Sequence, residues 1–326
     1  MFDLISIGDA AVDHFFKIRD AHLEQEKSGE QLCLKFGDKL PVEQYRQILG
    51  GNNSNNAVGA KRLGLKVAIY LNIGSDLAGK FILAELKEEG VDSRYVVVNE
   101  GVDSNVSALI SFRGERTILT YHQDFKYQLP DLDKSRWIYL SSMGRSASES
   151  NFFPQVENYL ERTGAALMFN PGTFELQHGI KKFPRLLSLT KLLIVNKEEA
   201  ELILKIESGK RVEMKKLLKS LLELGPKMLV VTDGVEGSYG YDGEEYYKLE
   251  IFPAKLVDMT GAGDSFATGV LAGLFYGKDL KEAMRWGAAN GASVVEQIGP
   301  QTGLLTYDIL QKKLKENSKI TPRELK

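Results

Sequence analysis

The segment with the clearest chemical content is Asp258-Met-Thr-Gly-Ala-Gly-Asp264-Ser-Phe-Ala-Thr-Gly. A glycine-rich turn runs directly into an apolar stretch with helical character. Small residues at Gly261, Ala262 and Gly263 let backbone N–H groups point outward from a helix N-terminus. The first four donors of a helix lack intrahelical partners, and the positive end of its dipole gathers there. Such a corner binds anions, phosphate among them. Asp264 falls in the first turn, where the same dipole is expected to keep it ionised at neutral pH. A tight turn with a dipole-complementing carboxylate would use the same residues without any ligand. Three features favour the ligand. Asp258 and Thr260 add polar groups on the approach, the glycines gather where an anion would dock, and the motif follows several strand–helix units. In open α/β sheets, ligands meet the carboxyl ends of the strands.

Two competing motifs fail at the position that matters. Gly74-Ser-Asp-Leu-Ala-Gly79-Lys80-Phe81 nearly spells a P-loop, but Phe81 stands where a hydroxyl must ligate Mg²⁺. Gly261-Ala-Gly-Asp-Ser-Phe266 lacks the third glycine of a dinucleotide fingerprint. Cys33 is the single cysteine, so no internal disulfide forms, and no Cys/His cluster offers a zinc site.

Composition narrows the class. The chain has 326 residues, with 42 Lys+Arg against 44 Asp+Glu for a net charge of −2. A chain of this length buries roughly three quarters of its unfolded surface and needs no disulfide or metal to fold. Its 43% hydrophobic and 26% charged fractions are those of a globular protein rather than a disordered or collagenous one. The near-neutral balance argues against a nucleic-acid partner, which usually demands a basic patch. Apolar runs reach only about five residues, against the roughly 20 of a membrane span. The start, Met1-Phe-Asp-Leu-Ile-Ser-Ile-Gly8, lacks the basic region and cleavage site of a signal peptide and reads as a strand. Asn52-Asn53-Ser54 and Asn105-Val106-Ser107 match the glycosylation pattern by chance on this reading, and a cytoplasmic protein is expected.

The elements that must hold the motif alternate along the chain. Asp3–Ile7, Val67–Ile73, Trp137–Leu140, Ala166–Phe169, Lys191–Val195 and Lys227–Val231 read as short apolar strands. Between and after them, Asn53–Leu63, Phe81–Glu89, Phe152–Arg162, Lys197–Leu204, Val212–Leu224, Ser265–Tyr276 and Leu280–Gln297 read as helices. Continuous apolar strands joined by helical crossovers predict a largely parallel sheet with helices on both faces. Two stretches break the rhythm, Val12–Phe36 and Tyr95–Tyr121, the second turning at Arg113-Gly114-Glu115. They predict a small antiparallel sheet that projects from the main body, spans about residues 13–40 and 95–124, and moves as a flap. The polar tail from Lys312 to Lys326 is expected to fray.

Further motifs follow in a fixed order. Gly8 precedes Asp13, and Gly50-Gly51-Asn-Asn-Ser-Asn55 opens a helix that runs to Lys61-Arg62-Leu63-Gly64. Gly74-x-Asp76-x-x-Gly79, Gly90-Val91-Asp92, Asn196-Lys-Glu-Glu199 and Thr232-Asp-Gly234-Val-Glu-Gly237 come next, before the Asp258–Asp264 segment. In this order and over nearly the whole length, the chain resembles the ribokinase-like (PfkB) family of carbohydrate kinases. The resemblance implies a single three-layer α/β/α kinase domain over residues 1–326, with a mostly parallel central sheet and a discontinuous β lid. It implies ATP- and Mg²⁺-dependent phosphorylation of a primary hydroxyl on a sugar or sugar-like alcohol. Phosphoryl transfer asks for positioning and charge stabilisation more than covalent chemistry. By resemblance, Asp264 is the general base, and Gly261, Ala262 and Gly263 hold the transferring phosphoryl oxygens.

Other roles are carried over in the same way. Asp13, Gly50, Gly51 and Asn55 would bind sugar hydroxyls, although a strand-closing carboxylate and an asparagine-rich helix cap explain the same residues. Asn196 and Glu199 would organise Mg²⁺ and phosphate through water, although Asn-x-x-Glu is also a capping-box pattern. Thr232, Gly234 and Gly237 would line the nucleotide, and Asn290 would contact adenine. Asp258, with Thr260 and Gly299, falls where some members bind a monovalent cation such as K⁺. Asn170-Pro171-Gly172 either points into the cleft or is a plain turn.

Departures shape the substrate expectation. Met259 replaces a more usual threonine, with little effect expected, whereas Asp233 would place an unfavourable charge near a polyphosphate unless it points to solvent. Asn52 stands where a lysine is frequent, which argues against an anionic sugar phosphate, although Arg113 and Arg116 on the flap keep an acidic substrate open. A neutral pentose or hexose of the ribose or fructose kind is the first reading. A nucleoside stacked on Phe15, Phe16 or Phe112 is the alternative, and a non-catalytic sensor of sugar and nucleotide is a third. The lid is expected to close on substrate, and its exposed strands predict a homodimer joined through it.

Overall fold

The computed structural model describes residues 1–26, 29–113, 115–207 and 212–325; Gly114 of the expected flap turn lies outside them. The chain opens with β1 (Phe2–Ile7), β2 (Ala11–Ile18), the hairpin β3 (His22–Glu26) and β4 (Gly29–Cys33), and β5 (Val42–Gly50). Then come α1 (Asn52–Arg62), β6 (Val67–Gly74), α2 (Leu77–Glu88), β7 (Asp92–Asn99), β8 (Val106–Phe112) and β9 (Glu115–Tyr121). The middle holds β10 (Ser135–Leu140), α3 (Arg145–Glu149), α4 (Phe152–Thr163), β11 (Ala166–Phe169), α5 (Thr173–His178) and α6 (Pro184–Leu189). It continues through β12 (Thr190–Asn196), α7 (Lys197–Leu204), α8 (Met214–Leu222) and β13 (Met228–Thr232). Last come β14 (Ser238–Tyr241), β15 (Tyr246–Leu249), α9 (Ala262–Phe275), α10 (Leu280–Val294), α11 (Tyr307–Glu316) and β16 (Arg323–Glu324).

A ten-stranded sheet in the order β16-β15-β14-β13-β12-β11-β10-β1-β6-β7 forms the middle layer. Every pairing from β7 to β13 is parallel, and β14 to β16 extend the sheet antiparallel. Successive side chains on a strand face opposite ways, and here they divide two cores. Leu4, Trp137, Tyr139, Leu192 and Ile194 pack under α1, α9 and α10. Their neighbours Ile5, Ile138, Leu140, Leu193 and Val195 pack against α4, α6, α7 and α8. Both faces being covered explains why these strands read as unbroken apolar runs. No helix among the described residues is long and apolar enough to cross a membrane.

The smaller sheet has the order β5-β2-β8-β9. Its two antiparallel pairs, β2·β5 and β8·β9, are joined by a parallel pairing of β2 with β8. Its boundaries differ from the sequence expectation. It takes in residues 42–50 beyond the expected 13–40 piece, and the β3·β4 hairpin stands apart as its own ribbon. Tyr95 belongs to the large sheet, because β7 runs parallel to β6 and the Tyr95 ring packs edge-on against Phe2 at 6.3 Å. The polar tail also departs from expectation. α11 runs to Glu316, β16 pairs with β15, and Leu325 N–H donates to Tyr246 C=O at 2.7 Å. An unpaired strand edge recruits backbone groups whatever the side chains are.

The asparagines at the start of α1 are mostly structural. Asn53, fully buried, donates from Nδ2 to the carbonyls of Gly8 and Tyr70, both at 2.9 Å, tying α1 to the ends of β1 and β6. Asn56 Nδ2 donates to Thr268 Oγ1 at 3.1 Å and so ties α1 to α9. Replacing Asn53 by Ala would leave the Gly8 carbonyl without a donor, at about 1–3 kcal/mol, while Tyr70 C=O keeps the Gly8 N–H at 3.3 Å. Urea unfolding of Asn53→Ala is expected to show a loss of about 1–3 kcal/mol; a midpoint equal to that of the parent protein would contradict this role.

Candidate active site

The glycine turn and Asp264 form one corner at the start of α9. Gly261 adopts φ 77°, a left-handed conformation that only glycine takes easily, and serves as the N-cap with no side-chain hydrogen bond to the helix. No side chain caps the first turn, although Ala262 N–H donates to Met259 C=O at 3.2 Å, and Gly263 is exposed with open space where a Cβ would project. Asp264 Oδ2 accepts from Asn55 Nδ2 at 2.8 Å. Burial nevertheless raises the Asp264 carboxyl above its ordinary range, against the lowering effect of Asn55. The rise comes from desolvation, which the packing of α1 against α9 adds to the helix-dipole effect weighed from sequence.

Asp13, on β2 of the smaller sheet, faces the same corner. Burial, opposed by a hydrogen bond from Ser107, pushes its carboxyl up to about 6, and the charges of Asp264 and Asp258 add to the rise. Gly50 is what makes room for it, since a Cβ there would land on the Asp13 carboxyl group. Gly51 caps α1 at φ 95°. Asn55 departs from its expected role on a sugar hydroxyl. It is buried, with Nδ2 on Asp264 and Oδ1 accepting from Gln301 Nε2 at 3.0 Å, so both ends of its amide are taken.

Across the corner, Asn196 and Glu199 form a reciprocal capping box at α7. Asn196 Oδ1 accepts from Glu199 N–H and Glu199 Oε2 accepts from Asn196 N–H, both at 2.8 Å. Glu199 Oε1 and Asn196 Nδ2 lie outside the box. Burial raises the Glu199 carboxyl, and the charge of Asp264 raises it further, so the two carboxylates sense each other. Buried Tyr139 feels both, and its hydroxyl donates to Asn170 Oδ1 at 2.9 Å, which binds Asn170 into the site's floor rather than into a plain turn. Thr232 ends β13 beside Asn196, and Gly234 and Gly237 bracket a short 3-10 turn after it. Asp233 is not a bare charge, because Lys197 Nζ pairs with its Oδ2 at 3.0 Å.

Two expectations change. Asn290 is wholly buried: its Nδ2 donates to Ser265 C=O at 2.7 Å and its Oδ1 accepts from Leu305 N–H at 3.0 Å. A residue with both amide ends spent inside the fold has nothing left for an adenine, so Asn290 is a staple between α9 and α10. Asp258 holds Thr260 N–H and Oγ1 at 3.0 and 2.7 Å through one oxygen, and Gly299 N–H at 2.9 Å through the other. The three residues expected around a monovalent cation are thus drawn together by Asp258 itself.

The sequence profile of the pfkB family carbohydrate kinases matches residues 10–306. The chain belongs to the pfkB carbohydrate kinase family. It is a sugar or nucleoside kinase, a phosphotransferase with an alcohol acceptor. An ATP-dependent 6-phosphofructokinase of Thermoanaerobacterium thermosaccharolyticum is 24% identical over 328 residues, covering 95% of this chain and 93% of that protein. The crystal structure of Methanocaldococcus jannaschii nucleoside kinase superposes with a TM-score of 0.77 at 22% identity, covering 97% of this chain and 99% of that one. Arabidopsis thaliana ribokinase complexed with ribose and ATP superposes with a TM-score of 0.79 at 20% identity, covering 96% and 99%.

Sequence reasoning missed several polar residues of this kinase. Tyr139 sat unremarked in an apolar strand, and Gln301 in a loop far along the chain. Asp9, next to Gly8, accepts from Tyr127 Oη at 2.7 Å through Oδ2, while its buried Oδ1 has no partner. Burial pushes Asp9 up to about 7 and Glu175 up to about 8, and the charge of Asp9 adds to the rise at Glu175. Glu175 accepts from Met143 and Gly172 N–H at 3.0 and 2.9 Å. Both carboxyls keep a proton in the folded state that they have shed in the unfolded state above pH ~4.5. Their contribution is complete at low pH and drains as pH rises through about 7 and about 8. Asp9→Asn should lessen the decline of unfolding free energy between pH 5 and 7 by roughly 1.4 kcal/mol per unit, one proton's worth. Urea titrations at three pH values check it, and equal slopes in both proteins would refute it.

Proposed function

We propose that the protein transfers the γ-phosphoryl group of ATP to the primary hydroxyl of a small neutral sugar, with Asp264 as general base. The observation that carries this reading is the carboxylate of Asp264 at the uncapped start of α9, faced by Asp13 from the smaller sheet. The sugar would lie between them, its hydroxyls accepted by Asp13. As the hydroxyl oxygen bonds to the γ-phosphorus, its proton passes to Asp264, and the bond to the bridging oxygen breaks with its electrons leaving on ADP. The N–H groups of Gly261 and Gly263 would hold the transferring oxygens as preorganised donors, Ala262 N–H being held by Met259 C=O. Thr232, Gly234 and Gly237 would border the nucleotide, and the Lys197–Asp233 pair keeps that edge from repelling a polyphosphate.

Glu199 Oε1 and Asn196 Nδ2 lie outside the capping box, and Glu199 senses Asp264, so the two residues fit a Mg²⁺ site reached through water. The ion would supply charge neutralisation at the phosphates. No step rests on a monovalent cation at Asp258. The acidic surroundings favour a neutral acceptor. The charge of Asp264 already adds to the rise of the Asp13 and Glu199 carboxyls, and a substrate phosphate beside them would add to that repulsion. Stacking of a nucleoside base on the smaller sheet finds less support. Phe15 and Phe112 are buried in packing, and Phe16 leans on Tyr45 at 5.3 Å on the face opposite Asp13. The smaller sheet acts as a lid whose closure excludes water from the transfer.

A panel of pentoses, hexoses, their phosphates and nucleosides, with ADP release as readout, tests the reading. Saturable turnover on a neutral sugar is expected, and Asp264→Asn should lower kcat by about 10²–10⁴-fold without changing the melting temperature. Turnover confined to adenosine or inosine would overturn the sugar assignment. Undiminished activity of Asp264→Asn would overturn the base, and binding of sugar and ATP without turnover would favour a sensor.

A further inference from the structure

Asp264 is held by a chain of groups that reaches well outside the site. Asn55 Nδ2 donates to Asp264 Oδ2 at 2.8 Å across 209 residues of sequence. Asn55 Oδ1 accepts from Gln301 Nε2 at 3.0 Å across 246 residues. Gln301 is 7% exposed, and its backbone carbonyl accepts from Arg62 Nη1 at 2.7 Å. Arg62 in turn forks onto both carboxylate oxygens of Glu89. Asn55 and Arg62 are seven residues apart on α1, so they share a helix face, and that face carries the Gln301 loop.

An amide has one donating and one accepting end, so the group at one end dictates what the other presents. The Asp264 carboxylate can only accept, so Asn55 turns Nδ2 to it, and Gln301 Nε2 meets the Oδ1 left on the far side and holds the amide there. The reverse orientation would set an amide oxygen against Asp264 and an N–H₂ against an N–H₂. Resting on the reading of Asp264 as base, we propose that Gln301 is a positioning residue. Through Asn55 it fixes the rotamer of Asp264, occupies Oδ2 with a donor, and leaves Oδ1 as the oxygen that receives the substrate proton. Gln301 touches no substrate in this scheme; it acts on the orientation and basicity of a group two hydrogen bonds away. A donor on the carboxylate favours its ionised form. The other titratable groups facing this corner are Asp13 on β2, Glu199 on α7, Tyr139 on β10 and Asp258 before α9.

The test compares parent protein, Gln301→Met and Gln301→Glu in the phosphoryl-transfer assay across pH. Loss of the Gln301 donor frees Asn55, so Gln301→Met should lower kcat about tenfold and move the acid limb of the kcat profile to higher pH, with KM for ATP unchanged. Gln301→Glu should act more strongly, because a carboxylate there would accept from Asn55 Nδ2 and turn Oδ1 onto Asp264. Thermal melts establish that each variant is folded. Should Gln301→Met fail to fold, the nearly isosteric Gln301→Glu carries the same readouts. A folded variant with the parent kcat and the parent acid limb would overturn the positioning role while leaving the base assignment intact. Parent-level activity in Asp264→Asn, by contrast, would overturn the base whatever Gln301 does.

Discussion

One hydrogen bond, from Asn55 on α1 to Asp264 on α9, is the joint on which the site depends. It draws together the starts of two helices that the chain places far apart, and it puts a donor on a carboxylate that packing has pulled out of water. Desolvation raises such a group, and the donor partly offsets it. The balance leaves a carboxyl raised above a solvated aspartate and still held in one orientation. Hydrogen bonds to charged groups contribute about 1.5–3 kcal/mol, enough to decide a rotamer.

The layered body exists to bring that joint to the carboxyl ends of the strands. Parallel strands covered on both faces end together, and the turns after β1, β10, β11, β12 and β13 therefore meet on one rim. Asp9, Asn170, Asn196 and Thr232 all lie on it. The smaller sheet enters from the same rim and brings Asp13 over the start of α9. Ile48 on β5 rests at Gly299, which Asp258 holds from below, so the sheet sits on the very loop that braces the anion corner.

Acid groups are concentrated here at a cost to stability. Asp9, Asp13, Glu175, Glu199 and Asp264 all have carboxyls raised by burial. A core built for stability alone would not bury so many. Asp13 and Glu199 both feel the charge of Asp264 at the start of α9, whereas Asp9 and Glu175 form a separate buried pair. The Lys197–Asp233 pair shows the same economy beside Thr232, where a charge that looked misplaced in sequence is matched by a neighbour one strand away.

Much of this was readable from residue order alone. Apolar runs and helix periods gave the layers, because burial on two faces leaves a pattern within each segment. The ordered glycine and acid motifs identified the kinase family, since tight turns and anion corners need particular residues at particular places. Partnerships between distant segments were not readable. Asn55 looked like a ligand for sugar and Asn290 like one for adenine, because an amide's type says nothing about which groups it will face. Tertiary packing gave Asn55 to Asp264 and Gln301, gave Asn290 to Ser265 and Leu305, and added the desolvation that raises the Asp264 carboxyl. The polar tail became a strand for a similar reason: the open edge of β15 lay in space beside it, and edge pairing is satisfied by backbone, which sequence pattern does not record.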